Sequence, residues 1–253
     1  MKPALYFLTL SIISICTYLA TKAYFDVRIK EEISTERSNQ EVINYFNEIC
    51  LRSENSWIPP LTHKFRSKAT IYVVKNEPYP DQMRFLDTVI ADFNQLPTDG
   101  FQIRVTKDSS IANIHLYLCS EQQIKGRKRF SRIDTTFYGY FDSSIKNNYI
   151  QGSEIFVNTT KPLIMQKNAI LEEVVQSLGF FNDSDLYFDS IFFQYKYDAK
   201  FKTVTLSDFD KKIISFLYHP LMKPGLNRLK TVEVIREILR QKDNLKARLI
   251  KSN

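Results

Sequence analysis

The residues most suited to chemistry lie between positions 172 and 182, which read Glu-Glu-Val-Val-Gln-Ser-Leu-Gly-Phe-Phe-Asn. Glu172 and Gln176 are four residues apart, so they share one face of a helix, and Glu173 lies beside that face. The spacing is that of the zinc-binding pattern H-E-x-x-H-x-x-G-x-x-H, in which imidazoles hold the metal and the glutamate activates a bound water. Here Glu172, Gln176 and Asn182 stand at the three histidine positions.

These replacements change the metal chemistry that the helix can support. A carboxylate can bind zinc, but an amide oxygen is a poor donor for this borderline-soft ion. Without a metal that lowers the pKa of a bound water, Glu173 by itself would be a weak catalyst of amide hydrolysis. We therefore expect no zinc cofactor, and we expect Glu172, Glu173 and Gln176 to line a binding cleft. Glu173 would be a catalytic base only in an active hydrolase.

An oxygen-rich segment follows the helix, beginning at Asn182 and Asp183 and continuing through Asp185 to Asp189. Hard cations such as Ca²⁺ favour clusters of this kind. Asn and Asp also stabilise turns through hydrogen bonds to nearby backbone groups, and we favour that interpretation. Asn182 and Asp183 remain candidate binding residues, and a bound Ca²⁺ or other cation remains the alternative.

The N-terminus carries an apolar run from Ala4 to Ala20 after Met1-Lys2-Pro3. Its length is at the short limit for a membrane-spanning helix and exceeds that of most signal-peptide apolar regions. We predict that residues 1–23 are a signal peptide or membrane anchor and residues 24–40 a charged spacer. The protein is then expected outside the cytoplasm, secreted or attached to the membrane, where Cys50 and Cys119 are either disulfide-bonded or free thiols.

The charge distribution excludes one class of partner. The formal net charge is +7, but the segment from Lys223 to Asn253 holds nine basic against three acidic residues, which accounts for most of the excess. The rest of the chain is close to neutral, so no basic groove for nucleic acid is expected. Residues 227–253 are predicted to form a basic amphipathic helix that packs on its own domain, with anionic lipid or a partner helix as the alternative.

Hydrophobic periodicity predicts alternating strands and helices before and through the motif. The predicted strands are Ala69–Val74, Phe101–Val105, Ile111–Leu118, Thr136–Phe141 and Glu154–Asn158, and the predicted helices are residues 42–50, Asp81–Leu96 and Pro162–Leu178. The stretch Ser120–Arg132 is predicted to be a loop. The motif helix should stop at Gly179, because glycine accepts the positive φ common just past a helix end. The hairpin-like middle cannot be all parallel, so we predict an α/β fold with a mixed sheet.

In this order of elements the chain resembles the zincin superfamily, and specifically a metzincin-like bacterial domain family of unknown function. The matching segments are Ala112–Leu116 to a metzincin strand, Glu154–Val157 to the edge strand above the cleft, Ile170–Asn182 to the active-site helix, Asp189–Phe192 to the Met-turn segment, and Leu206–Leu226 to the family's closing helix. The resemblance implies a metzincin-like domain over residues 41–226, with a mixed twisted sheet, packed helices and a helical C-terminal part.

The resemblance implies the fold, and three functions remain open for such a domain. We favour a non-catalytic pseudo-peptidase whose cleft binds a peptide or partner protein, with Glu154 and its strand supplying backbone hydrogen bonds. The first alternative is an active metallopeptidase in which Glu172 and Asp183 or Asp185 hold a metal and Glu173 is the base. The second is a structural protein of the cell envelope.

Overall fold

The computed structural model describes residues 17, 21, 38–53, 57–125, 138–194 and 203–252, with side chains up to residue 245 except at Lys125. The chain divides into two compact units, Met1–Ile43 and Asn44–Asn253. The predicted signal or anchor segment lies outside the described residues apart from Thr17 and Thr21. Among the residues described, no helix combines the length and apolar character needed to span a membrane.

The described part of the chain contains one five-stranded sheet of mixed direction. Its strands are β1 (Lys68–Lys75), β2 (Gln102–Thr106), β3 (Ile114–Cys119), β4 (Gly139–Lys146) and β5 (Tyr149–Asn158). Their order across the sheet is β2-β1-β3-β5-β4. Strands β2, β1, β3 and β5 are parallel, and β4 is antiparallel to β5. The predicted α/β fold with a mixed sheet is confirmed.

Six α-helices accompany the sheet in the described ranges: α1 (residues 38–51), α2 (Pro80–Asn94), α3 (Glu121–Lys125), α4 (Leu163–Gln176), α5 (Asp208–Leu217) and α6 (Arg228–Ser252). A short 3₁₀ turn covers Ser109–Ile111. Helix α3 occupies part of the stretch predicted to be a loop, so that prediction was wrong there. Its Ile124 packs on Tyr117 and Phe156, which gives this short helix an apolar anchor.

The two faces of the sheet carry different helices. Helix α4 lies on the face that presents Ser153, whose hydroxyl donates to the carbonyl of Ser177 just past the end of α4 at 3.4 Å. Helix α2 joins it there, because Gln82 of α2 donates to Gln166 of α4 at 2.6 Å. Successive side chains alternate between faces, so Phe156, three residues after Ser153, faces the other way and packs with Tyr117 of β3 and Ile124 of α3.

Contacts with distant segments decide which side chains of these elements are buried. Leu86 is 1% exposed and belongs to the buried stripe of α2, whereas Phe85 is only partly buried. Tyr117 lies between the core residues Leu116 and Leu118 of β3 and so faces the other side of the sheet, but it is also buried, at 6% exposed. Ile111 was assigned to that strand but lies in the 3₁₀ turn and is 63% exposed.

The position of the segment Glu154–Asn158 is the most consequential correction. We predicted it to be an edge strand, but it is the C-terminal half of β5, which lies between β3 and β4. Both of its backbone edges are occupied by pairing with these two strands. A peptide therefore cannot add to β5, and the edge on this side of the sheet belongs to β4.

Candidate functional site

Helix α4 crosses the interior of the domain, and every residue from Asn168 to Gln176 is buried. Hydrogen bonds to two backbone carbonyls fix the C-terminal end of the helix and the turn that follows it. The hydroxyl of Tyr218, itself stacked on Phe101 with ring centroids 4.1 Å apart, donates to the carbonyl of Leu178 at 2.8 Å. The backbone N–H groups of Gly179 and Phe180 both donate to the carbonyl of Gln176, at 3.0 and 3.1 Å. The polar residues of the motif are thus held on a rigid element.

Gly179 ends this helical segment with φ of +116°, as the sequence predicts. The backbone also comes very close to another segment here, because a Cβ at this position would lie 2.2 Å from the carbonyl oxygen of His63. Two independent constraints, backbone conformation and space, therefore require glycine.

The two acidic side chains of the motif are buried, with exposed fractions of 4% for Glu172 and 8% for Glu173. Glu172 and Glu173 each interact with at least one other residue through a hydrogen bond, an ion pair or another electrostatic contact. Gln176 is 4% exposed and donates from Nε2 to Oδ1 of Asp183 at 2.6 Å. Both carboxylates are therefore largely removed from solvent. Charged groups are rarely buried without compensation.

Glu173 lies directly against the start of β4. A Cβ on Gly139 would be 2.7 Å from both Cγ and Oε1 of Glu173, and 3.0 Å from the Cβ of Ala169. The absence of a side chain at Gly139 is what allows α4 and β4 to approach so closely. The buried carboxylate is thereby placed beneath the edge strand of the sheet.

The segment that follows α4 forms hydrogen bonds within itself and to Gln176 of the helix. Asn182 donates from Nδ2 to the carbonyl of Asp183 at 2.5 Å, while Asp183 accepts from Gln176. Ser184 accepts from the N–H of Leu186 at 3.1 Å. Asn182 and Asp183 are half-buried and lie beside Gln176, whereas Asp185 is exposed. Hydrogen bonds of this local kind are typical of turns.

The donors at the three ligand positions do not fit a zinc ion. They are one carboxylate and two amides, and the amide nitrogen of Gln176 is engaged with Asp183. Within the described residues, no three His, Cys, Asp or Glu side chains are grouped so that they could hold a metal. A hydrolytic step through a metal therefore has no support from these side chains.

Glu154 is separated from the motif cluster by the sheet itself. It pairs with His115 of β3 and Asp142 of β4, so these three side chains share one face. Ser153 and Ile155 point to the opposite face, where α4 packs. The structure thus brings together Glu172, Glu173, Gln176, Asn182 and Asp183 but not Glu154.

One family spans most of this chain. The family described as "Protein of unknown function (DUF2927)" matches residues 39–237. The chain belongs to this family. No curated protein matches the sequence. The solved structure of myroilysin is similar with a TM-score of 0.38 and 10% identity, over 60% of this chain and 92% of that chain. A likeness this low carries no argument about function.

The DUF2927 domain contains a buried polar network that sequence reasoning missed. Asp210 is fully buried and accepts from the hydroxyl of Ser190 at 2.7 Å and the N–H of Ile191 at 3.1 Å. It also accepts from the N–H of Ser207 at 2.9 Å, which completes a capping box at the start of α5. Ser190 is hydrogen-bonded to Tyr45. Burial raises the pKa of Asp210, although these donors oppose the shift. The Ser-x-x-Asp spacing was the available signal.

The cysteines and histidines of the DUF2927 domain have structural surroundings. Cys50 and Cys119 are free thiols, and burial raises the pKa of Cys50 well above its usual value. His63 is 1% exposed, hydrogen-bonded through Nε2 to the carbonyl of Pro59 at 3.1 Å, and burial lowers its pKa. His115 packs edge-on against Tyr72, with ring centroids 6.1 Å apart. These residues are distinct from the motif cluster on α4.

Proposed function

We propose that this protein is a non-catalytic, metzincin-like pseudo-peptidase domain that binds an extended peptide along the outer edge of β4. The observation that carries the proposal is the position of β4 as the last strand of the sheet. No strand among the described residues pairs with its outer side. An exposed strand edge can accept a peptide through backbone hydrogen bonds, with side chains setting the specificity.

The pairing of β4 with β5 identifies the backbone groups that would contact the peptide. Asn158 donates its N–H to the carbonyl of Tyr138 at 2.9 Å, so residues 138 and 158 form a hydrogen-bonded pair. Such pairs alternate along antiparallel strands. The N–H and C=O groups of Gly139, Phe141 and Ser143 therefore point away from β5, toward a peptide at the edge.

The Cα of Gly139 and the side chains of Phe141 and Ser143 lie on the α4 side of the sheet. Gly139 contacts Glu173, Phe141 stacks on Phe181 with centroids 5.9 Å apart, and Ser143 hydrogen-bonds Ser153 at 2.7 Å. Their packing orders β4 before any ligand arrives, which reduces the entropy lost on binding. The buried polar cluster of α4 thus supports the strand, and the unsuitability of its donors for zinc supports a role without catalysis.

We also propose that the domain works outside the cytoplasm, secreted or held at the membrane through residues 1–23. The apolar run Ala4–Ala20 and the charged residues flanking it support this placement. Mass spectrometry of the mature N-terminus tests the mode of attachment. An intact Met1 excludes cleavage after Ala23, and a new N-terminus at Tyr24 excludes a permanent anchor.

Peptide binding can be tested residue by residue on the edge strand. Peptides selected from a random octapeptide library should protect the amides of Gly139, Phe141 and Ser143 from hydrogen exchange. The amides of Tyr140 and Asp142 should be protected without peptide, because they already face β5. If no selected peptide protected the three outward amides, or if protection appeared elsewhere instead, the β4 proposal would be wrong.

Matched peptides provide a control that leaves the protein unchanged. N-methylation of alternate peptide residues should abolish binding, whereas N-methylation of the residues between them should be tolerated, because only every second N–H faces β4. Incubation of the same peptides with the protein, with and without added zinc, tests the proposal that the domain is not a catalyst. Zinc-dependent cleavage would contradict it.

A further inference from the structure

A pocket lies at the end of the sheet where β1 and β3 begin and where the hairpin of β4 and β5 turns. Its cavity of about 480 Å³ is lined by residues 65–68, 146–147 and 149–151 and by Asn113. This volume is within the range of ligand sites in proteins. Neither the motif cluster of α4 nor the outward amides of Gly139, Phe141 and Ser143 line the cavity.

The lining of this pocket has one sign of charge. Among the described residues that line it, Arg66, Lys68 and Lys146 are basic and none is acidic, which gives a formal charge of +3. The three side chains are accessible to solvent, and none of them forms an ion pair with a described residue. A concave surface with one sign of charge concentrates ions of the opposite sign. The pocket therefore favours an anion with more than one negative charge.

Arg66 is held in place by an aromatic ring of the same pocket. Its guanidinium carbon lies 4.7 Å from the centroid of the Tyr149 ring, which is a cation–π contact. The backbone at this ring is fixed, because Lys64 and Tyr149 form a parallel bridge and Ile150 donates its N–H to the carbonyl of Lys64 at 3.1 Å. No described residue accepts a hydrogen bond from the guanidinium, so its N–H donors are available to a ligand.

The backbone that carries the two lysines is also ordered. Lys146 pairs with Tyr149 across a two-residue turn, in which residues 147 and 148 have φ of +53° and +61°, as in a type I′ turn. Lys68 is fixed by Asn113, whose Nδ2 donates to the carbonyl of Lys68 at 3.2 Å. Binding would therefore order only the lysine side chains, which keeps its entropy cost low.

We propose that this pocket binds a phosphate group, either of a soluble compound or of a lipid headgroup. A phosphate monoester has close to two negative charges at neutral pH, which suits three basic side chains better than a single carboxylate does. The planar guanidinium of Arg66 matches two phosphate oxygens, while Lys68 and Lys146 bind as point charges. The cavity is larger than a phosphate group and can also admit part of the molecule that carries it. This site is independent of peptide binding at β4.

Inorganic phosphate is the first probe for the full-length protein. Calorimetric titration at low ionic strength should show saturable binding, and acetate, which has one charge, should bind at least about fivefold more weakly. Vesicles of phosphatidylcholine with and without phosphatidic acid distinguish the two sources. The apolar run Ala4–Ala20 contributes equally to both kinds of vesicle, so the difference between them is the readout.

Tighter binding to vesicles with phosphatidic acid, reversed by free phosphate, would assign the site to a lipid headgroup. Equal binding to both kinds of vesicle, together with saturable binding of free phosphate, would assign it to a soluble phosphate compound. The absence of saturable phosphate binding would overturn the proposal, and so would equal affinities for acetate and phosphate.

Substitutions test whether phosphate binds in this pocket. Arg66→Gln, Lys68→Gln and Lys146→Gln should each weaken phosphate binding by about fivefold or more, because each removes a charge-assisted contact. Lys107→Gln is the matched control, since Lys107 is exposed just beyond the C-terminal end of β2 and does not line the pocket. Melting temperatures should stay unchanged, because all four positions are on the surface. An equal loss in Lys107→Gln, or unchanged binding in the three pocket variants, would refute the site.

Discussion

Gly139 and Glu173 are in such close contact that any side chain at position 139 would collide with the buried glutamate. The edge strand β4 and the motif helix α4 meet at this point. The contact connects two features that the sequence presents separately, a polar helix face and a short strand. It also means that the position of β4, and hence its proposed peptide-binding edge, depends on the volume of one side chain on α4.

Gly139→Ala should destabilise the domain by about 1–3 kcal/mol, as expected for overpacking of a filled interior. Chemical denaturation of the four proteins of a double-mutant cycle with Glu173→Ala measures the contact. The alanine at position 139 should cost less when Glu173 is truncated, with a coupling energy above about 0.5 kcal/mol. Strict additivity of the two substitutions would contradict the contact.

Glu172→Ala and Glu173→Ala should each cost about 1–3 kcal/mol, because truncation of a buried carboxylate leaves its interaction partners unsatisfied. The isosteric variants Glu172→Gln and Glu173→Gln retain the volume and one acceptor oxygen, so they should cost less than the alanine variants. Thermal and denaturant unfolding of the alanine and glutamine variants measure these differences in unfolding free energy. Unchanged stability of both alanine variants would mean that the carboxylates are remnants without a structural role.

Gly179→Ala should be among the most damaging single substitutions in the domain. A positive φ strains any residue other than glycine, and the new methyl group would lie 2.2 Å from the carbonyl oxygen of His63. We expect a loss of about 2–5 kcal/mol from strain and overpacking together. Expression level and denaturant midpoint report the effect. A variant with wild-type stability would show that the backbone at positions 63 and 179 can move apart without lowering the free energy of unfolding.

Asp210→Asn should destabilise the domain by about 1–3 kcal/mol, because an amide cannot accept from Ser190, Ile191 and Ser207 as the carboxylate does. Asp208→Asn is the matched control in the same turn of α5, where the Asp208 side chain is 95% exposed. Denaturant unfolding should place Asp208→Asn near the wild type. Equal effects of the two substitutions would contradict the role of the buried network.

His63 should make stability depend on pH below its ordinary pKa of 6.5, because burial lowers the pKa of this imidazole in the folded protein. The unfolded chain then binds a proton at a pH where the folded protein does not. The stabilisation is complete above pH 6.5 and is lost as the pH falls through the folded pKa, by at most about 1.4 kcal/mol per pH unit.

The variant His63→Leu should show a flatter curve of unfolding free energy against pH in that range. Burial also lowers the pKa of His219, so the difference between the wild-type and variant curves isolates the contribution of His63. Parallel curves for the two proteins would rule out a buried neutral imidazole at position 63.

Local patterns in the sequence determine the helix that carries the motif. The apolar residues around Glu172 and Gln176 predict α4, and Gly179 predicts its end, because helix formation and termination depend on residues a few positions apart. The spacing of Glu172, Glu173 and Gln176 likewise determines that they lie together. The donor atoms of these side chains are a property of residue type alone, and they suffice to question a zinc site.

Only the tertiary structure decided which strand lies at the edge of the sheet and which residues share the site. A strand such as Glu154–Asn158 has the same alternating pattern whether one or both of its edges are paired, since pairing order depends on distant segments. The same is true of the contact between Gly139 and Glu173. Each of these depends on how elements far apart in the chain pack against one another, which periodicity along the sequence does not encode.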